Sequence, residues 1–215
     1  MAKAVDSNLP PGTTGLVLHG AALYDLMVWV ITLGRERSFR EKILRLARLQ
    51  PGDATLDVGC GTGSLAIAAK KQVGPAGRVF GIDASREMLA RAERKAKRAG
   101  LDVTFRQAAA QTLPFPDRQF DVVLSTLMLH HLPRKARAEC AREIGRVLKP
   151  GGHALAVDFG APTRERRRSH IHLHQHGGVD LADITAILSE AGLQIIDSGA
   201  VGYRSLNFAL AKVPK

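Results

Sequence analysis

Leu56-Asp57-Val58-Gly59-Cys60-Gly61-Thr62-Gly63 decides the fold of this chain. A short apolar run beginning at Ala54 carries one acid near its end and opens into three alternating glycines. Ser64-Leu65-Ala66-Ile67-Ala68-Ala69 follows with helical character. The reading is a strand, a tight turn and a helix start, the layout that brings backbone N–H groups against a nucleotide-like ligand. Glycine suits such a turn because φ > 0 is costly for other residues and a Cβ would meet a ligand lying on the main chain. The period separates this loop from a dinucleotide fingerprint, which reads G-x-G-x-x-G; here the pattern is D-x-G-x-G-x-G.

Outward from that loop, strand and helix signals alternate. Strands are expected at Ala54–Val58, Arg78–Ile82, Asp102–Arg106, Phe120–Ser125 and His153–Phe159. Helices are expected at Gly63–Val73, Ser85–Ala99, Arg134–Leu148 and Asp180–Ala191, with Gly74-Pro75-Ala76-Gly77, Gly100 and Lys149-Pro150-Gly151-Gly152 as connecting loops. Leu193–Ser198 and Tyr203–Ala211 read as a closing hairpin. Upstream, residues 1–17 lack periodicity and read as a mobile arm. Ala21 to Leu33 is apolar and helical in character, and Glu36 to Leu49 is an amphipathic helix stopped by Pro51-Gly52. This is an α/β chain with a mainly parallel sheet. It divides into an arm with lid helices over 1–50 and a ligand-binding domain over 51–215.

At 215 residues the chain can bury a proper core. No run of eighteen apolar residues occurs, and Met1 to Thr14 lacks the charged and apolar regions of a secretory signal. Cys60 and Cys140 have no metal-ligand spacing and read as reduced thiols, which predicts a cytoplasmic protein. The net charge of +11, from 31 Lys and Arg against 20 Asp and Glu, favours anionic partners, either nucleic acid or an acidic membrane surface. The bases are spread over several helices, and only Arg164 to Arg168 forms a dense cluster.

The glycine turn, with its preceding acid, resembles the first motif of the class I S-adenosylmethionine-dependent methyltransferases. Further blocks extend the resemblance: Asp83-Ala84-Ser85-Arg86-Glu87-Met88-Leu89, Leu113-Pro114-Phe115-Pro116-Asp117, Phe120-Asp121-Val122-Val123 and Arg146-Val147-Leu148-Lys149-Pro150-Gly151-Gly152. They cover about residues 51–160. The resemblance implies a Rossmann-like, mostly parallel seven-stranded sheet with an antiparallel C-terminal hairpin, and S-adenosyl-L-methionine as cofactor. It implies a site formed by Asp57, Gly59, Cys60, Gly61 and Gly63 at the turn, with Asp57 facing the methionine amino group. Asp83 ends the second strand about twenty residues on, where an acid accepts hydrogen bonds from ribose hydroxyls; it can also serve the start of the following helix. Ala84 and Met88 would flank the adenine, and the segment Ser125 to Leu127 would pass under the methionine part. Many relatives place an acid before the Leu-Pro-Phe block for the adenine amino group. Here that residue is Ala109, so Ala109 and Ala110 offer only backbone, and Gln107 or Gln111 is left to compensate.

In methyl transfer the cofactor carries the reactive group; the protein aligns donor and acceptor and manages a proton. The base candidates are His130 and His131, just past the fourth strand; pocket lining and a structural role stay open for both. Tyr24, in His19-Gly20-Ala21-Ala22-Leu23-Tyr24-Asp25-Leu26-Met27, resembles the head of the lid helix in methyltransferases acting on isoprenoid quinols and phosphatidylethanolamine. There it would point at the methionine end and belong to the catalytic set. His170, His172, His174 and His176 alternate, but no Cys, Asp or Glu joins them, so acceptor-pocket lining is favoured over metal. The expected acceptor is small and apolar or lipidic, with peripheral contact to anionic membrane. A nucleic-acid or protein methyltransferase is the alternative. For base amines it lacks support, since Ser125-Thr126-Leu127-Met128 stands where an (Asp/Asn)-Pro-Pro-(Tyr/Phe) signature belongs. A non-catalytic cofactor-binding subunit is the other alternative.

Overall fold

A computed structural model describes residues 9–11, 13–15, 34–160, 179–203 and 205–214. Its elements run α1 (Glu36–Leu46), β1 (Ala54–Val58), α2 (Ser64–Val73), β2 (Arg78–Asp83), α3 (Arg86–Arg98), β3 (Thr104–Gln107) and β4 (Phe120–Thr126). A 3₁₀ turn (Leu129–His131) leads to α4 (Arg134–Val147), β5 (Leu148–Phe159), α5 (Leu181–Glu190), β6 (Gln194–Ala200) and β7 (Leu206–Lys212). The expected helix from Ala21 to Leu33, with Tyr24, lies outside the described residues, as do Arg164 to Arg168 and the histidines from His170 to His176.

One sheet orders the strands β3-β2-β1-β4-β5-β7-β6. The first five run parallel and β7 is antiparallel to both its neighbours. The chain builds outward from β1 to β3, then returns to place β4 on the other side of β1. That reversal opens a crevice at the carboxyl ends of β1 and β4. All five residues of β1 are buried, as a strand covered on both faces requires.

Each face carries its own core. On one, Phe39, Ile43 and Leu44 of α1 and Ala66, Ala69 and Val73 of α2 meet Val122, Leu124, Leu155 and Val157. On the other, Ala136, Cys140 and Ile144 of α4 and Ile184 and Leu188 of α5 meet Val123, Ala154 and Ala156. The period-two alternation of β4 and β5 assigns these residues to opposite faces.

The sequence reading of Lys149-Pro150-Gly151-Gly152 as a loop is corrected: β5 already begins at Leu148, paired with Phe120. Gly151 N–H donates to Val213 O at 3.1 Å and Val213 N–H to Gly152 O at 2.8 Å, so the glycines are held by the far strand while the ladder to β4 is irregular between Phe120 and Val122. The sequence blocks are clamped to one another. Arg146 Nη1 donates to Phe115 O (2.8 Å) and Asp117 Oδ1 (2.7 Å), Arg146 Nη2 to Leu113 O (3.1 Å), and Glu143 Oε2 accepts Leu113 N–H (2.7 Å). Lys149 Nζ donates to Asp121 Oδ2 at 2.7 Å, and the same oxygen accepts Ala54 N–H at 2.9 Å. These clamps fix the loop that carries residues 108–111 to the crevice.

Candidate active site

The turn after β1 is wound with Gly59, Gly61 and Gly63 at φ of 73°, 52° and 74°. Sequence logic reserves the absent side chains for a ligand; the protein itself needs part of that space. A Cβ on Gly59 would sit 2.3 Å from Met128 Cγ, and one on Gly63 would sit 2.6 Å from Ala92 Cβ and 2.8 Å from Phe105. Gly63 thus seats α2 against α3 and β3 and caps α2, while Gly59 and Gly61 border the crevice.

The N–H groups of Gly59 and Cys60 both donate to Ile82 O, at 2.9 and 2.8 Å, which ties the turn to β2. Asp83, the last residue of β2, is braced on both oxygens: Oδ2 accepts Gly61 N–H and Oδ1 accepts Ser85 N–H, each at 2.9 Å. Each oxygen keeps a further lone pair, and Asp83 lines the crevice. The structure shows the second of the two readings of Asp83, support for the start of α3. Burial raises its carboxyl above the ordinary value, opposed by the N–H groups of Ser85, Gly61 and Ala84.

Two cavities open here. The first, about 700 Å³, is walled by Asp83, Ala84 and Met88 and by Ala108, Ala109 and Ala110, with Leu127, Met128 and His131. Thr13 and Thr14 also line it, and Gln111 Nε2 donates to Thr14 Oγ1 at 2.7 Å, so part of the arm expected to be mobile is bonded to the site. Gln107 cannot stand in for the missing acid: its Nε2 donates to Ala84 O (2.9 Å) and its Oε1 accepts from Arg86 Nε (2.6 Å). The second cavity, about 570 Å³, is lined by Asp57, Cys60, Thr62, Ser64 and Thr126, with Glu36 and Arg40 entering from α1. Gly59 and Leu127 line both, so the two are halves of one crevice. Leu127 takes φ of +56°, uncommon for a branched residue, and donates its N–H to Val157 O at 2.8 Å.

Ser125 is the site residue that the sheet sends elsewhere. Alternation along β4 turns it to the α4 and α5 face, where it lines a small, separate apolar gap with Val123, Leu129 and Ile187. Its neighbours Thr126 and Leu127 border the crevice instead.

The crevice floor is acidic and incompletely satisfied. Asp57 is 2% exposed, and its Oδ2 has no hydrogen-bond partner among the described residues; neither has the buried Thr126 Oγ1. Burial, and secondarily the Asp83 charge, pushes the Asp57 carboxyl up to about 7, against the pull of the Ala66 N–H. A cation in the second cavity would relieve this arrangement. Cys60 lies between the two acids, and burial and their charges raise its thiol well above the ordinary range, so it is an inert wall. Cys140, pushed up to about 12, is core.

His130 and His131 stand on the 3₁₀ turn with ring centroids 3.8 Å apart. Arg137 Nε holds the turn by donating to Leu129 O (2.9 Å) and Leu132 O (2.8 Å). His131 lines the first cavity, whereas His130 lies 5.3 Å from the Phe159 ring. Asp158, fully buried at the end of β5, receives His130 N–H on Oδ2 (3.0 Å) and faces His130 Nδ1 with Oδ1 (2.7 Å). The sequence reading did not single out Asp158, Arg40, Glu36, Thr13, Thr14 or Thr62. Asp158 was findable by the signal that marks Asp57 and Asp83, an acid at the carboxyl end of an apolar strand.

A switch-point crevice with a glycine turn and two raised carboxyls fits a cationic nucleoside such as S-adenosylmethionine. The fit rests on the orphaned Asp57 oxygen, the half-buried acceptor at Asp83 and the small-residue wall from Ala108 to Ala110. The fold is that of the class I, S-adenosylmethionine-dependent methyltransferases, and the crevice resembles their cofactor site. Residues 55–152 match the model described as a methyltransferase domain, and the chain is similar to curated quinone-pathway methyltransferases. It is 40% identical over 144 residues to a demethylmenaquinone methyltransferase of Geobacillus kaustophilus, covering 66% of this chain and 61% of that protein. It is 39% identical over 140 residues to a ubiquinone/menaquinone biosynthesis C-methyltransferase of Bdellovibrio bacteriovorus, covering 65% and 58%. The chain thus spans about three-fifths of the length of these relatives. Among solved structures, a SAM-dependent methyltransferase from Aquifex aeolicus superposes with a TM-score of 0.73 at 22% identity, covering 91% of this chain and all of the other.

Proposed function

We propose that this protein transfers a methyl group from S-adenosylmethionine to a small apolar hydroxylated acceptor of the isoprenoid quinol type. The observation that carries the transfer is the continuous crevice with its unpartnered acid. The names of the relatives support the acceptor. When bound, the cofactor supplies an electrophilic methyl on a sulfonium. In this reading Asp83 accepts from the ribose hydroxyls, Ala84 and Met88 flank the adenine, and the backbone of Ala109 and Ala110 meets its edge. Asp57 and Thr126 face the ammonium, Arg40 sits beside the amino-acid carboxylate, and the Gly59 to Gly61 turn supports the chain between them.

The residues also exclude water. Met88 and Leu132 give the first cavity an apolar wall, and Leu127 borders both halves of the crevice. An oily acceptor calls for access to a membrane. No helix among the described residues is long and apolar enough to cross one. Instead α1 and its flanks carry Arg35, Arg37, Lys42, Arg45 and Arg48 outside the crevice, with Glu41 as the one acid among them, which suits peripheral contact with anionic lipid.

The test is incubation with S-adenosylmethionine and a short-chain demethylmenaquinol under reducing conditions. The expected products are S-adenosylhomocysteine and a quinol one methyl heavier, in equal amounts, with release of one proton. Cofactor binding without quinol methylation, together with label entering nucleic acid or protein in a cell extract, would refute the acceptor.

A further inference from the structure

We infer that Asp158 is a positioning residue that makes His130, rather than His131, the general base toward the acceptor hydroxyl, an assignment that rests on the hydroxylated acceptor proposed above. Three donors converge on one fully buried carboxylate: His130 N–H on Oδ2 at 3.0 Å, Phe159 N–H on Oδ1 at 2.7 Å, and the His130 ring across 2.7 Å from Oδ1. A carboxylate already accepting two backbone N–H groups presents acceptors, so the ring nitrogen facing it carries its hydrogen. That fixes the tautomer as Nδ1–H and leaves the lone pair on Nε2. No described residue hydrogen-bonds Nε2, and the side chain keeps 14% exposure.

The surroundings distinguish the two histidines. His131 lines the half of the crevice that Asp83, Ala84 and Met88 define as the nucleoside half. His130 is not among the residues lining that half; its ring packs between the His131 ring at 3.8 Å and the Phe159 ring, near the carboxyl end of β5, at 5.3 Å, which limit its rotation. Asp158 grips both backbone and ring of the same residue, which leaves the imidazole one orientation. In the step assigned here the acceptor O–H bond breaks, its electron pair stays on oxygen, and the proton goes to Nε2. The imidazolium so formed keeps Nδ1–H on Asp158, whose negative charge balances it; the carboxylate itself takes no proton.

The test uses the full-length protein. Ring ¹⁵N spectra of histidine-labelled wild type, recorded without acceptor, should show His130 with hydrogen on Nδ1 and a bare Nε2, assigned by comparison with His130→Gln. Because no acceptor is present, that spectrum separates a failed dyad from a failed acceptor assignment. Asp158→Asn has only one acceptor oxygen for three donors, so the Nε2–H form should gain population. With an accepted substrate, kcat should fall about 100-fold in His130→Gln and about 10-fold or more in Asp158→Asn, with KM for both substrates within about twofold. Should Asp158→Asn fail to fold, His130→Gln and the wild-type spectrum still decide the matter. Nε2–H in the wild type, or a wild-type kcat in His130→Gln, would overturn the proposal.

Discussion

Replacing Asp57 by asparagine tests the electrostatics of the crevice on the protein without ligand. The side chain is 2% exposed, one of its oxygens has no partner, and its carboxyl is raised from 3.8 to about 7. A carboxyl raised in the folded state favours the fold while it is protonated, so stability is greatest below the unfolded value. It declines as pH rises from about 4 to about 7 and levels off above that, where the folded protein must hold the charge. The slope is about 1.4 kcal/mol per pH unit, so the interval corresponds to about 4 kcal/mol, and relaxation around a buried charge brings the measurable loss to roughly 2 kcal/mol. The asparagine side chain would keep the shape and the acceptor for the Ala66 N–H and lack the charge. Urea unfolding of wild type and Asp57→Asn from pH 4 to pH 8 should show the variant gaining on the wild type by about 2–4 kcal/mol across that range, while cofactor binding weakens at least tenfold. A pH-independent offset between the two stability curves would refute the reasoning, because the cost of ionising Asp57 is what makes the crevice select a cation.

Cofactor affinity in the wild type should fall as pH drops below about 7, the value at which Asp57 takes up its proton, and isothermal titration at pH 6 and pH 8 reads this directly. Asp83→Ala should weaken binding at least tenfold and also loosen the turn, since Gly61 and Ser85 lose their acceptor; equal titrations for variant and wild type would remove Asp83 from the site. Gly59→Ala should destabilise the fold by about 2 kcal/mol or more, from φ of +73° and a clash with Met128, and Met128→Ala in the same chain should restore part of that, as thermal melting will show. Sedimentation with vesicles should increase with anionic lipid and drop with salt and with Arg37→Glu; binding to neutral vesicles alone would contradict a role for the basic face of α1.

The sequence by itself determined the alternation of strands and helices, the turn at Gly59 to Gly63, and the acids Asp57 and Asp83 at strand ends. These are local matters, because hydrophobic period, turn chemistry and strand-end position are written in neighbouring residues. The missing acid at Ala109 was equally plain. Only the tertiary structure decided which side chains converge. The strand order β3-β2-β1-β4-β5 brings Asp57, Asp83 and Thr126 to one crevice from three strands, and pleat parity on β4 turns Ser125 away from it. The same packing brings Asp158 to His130 across 28 residues of chain and presses Met128 against the glycine turn. A short run of sequence specifies its own backbone; which distant side chain fills the space beside it is set by how the layers close, and that closure gave Asp57 its unshielded charge and His130 its fixed ring.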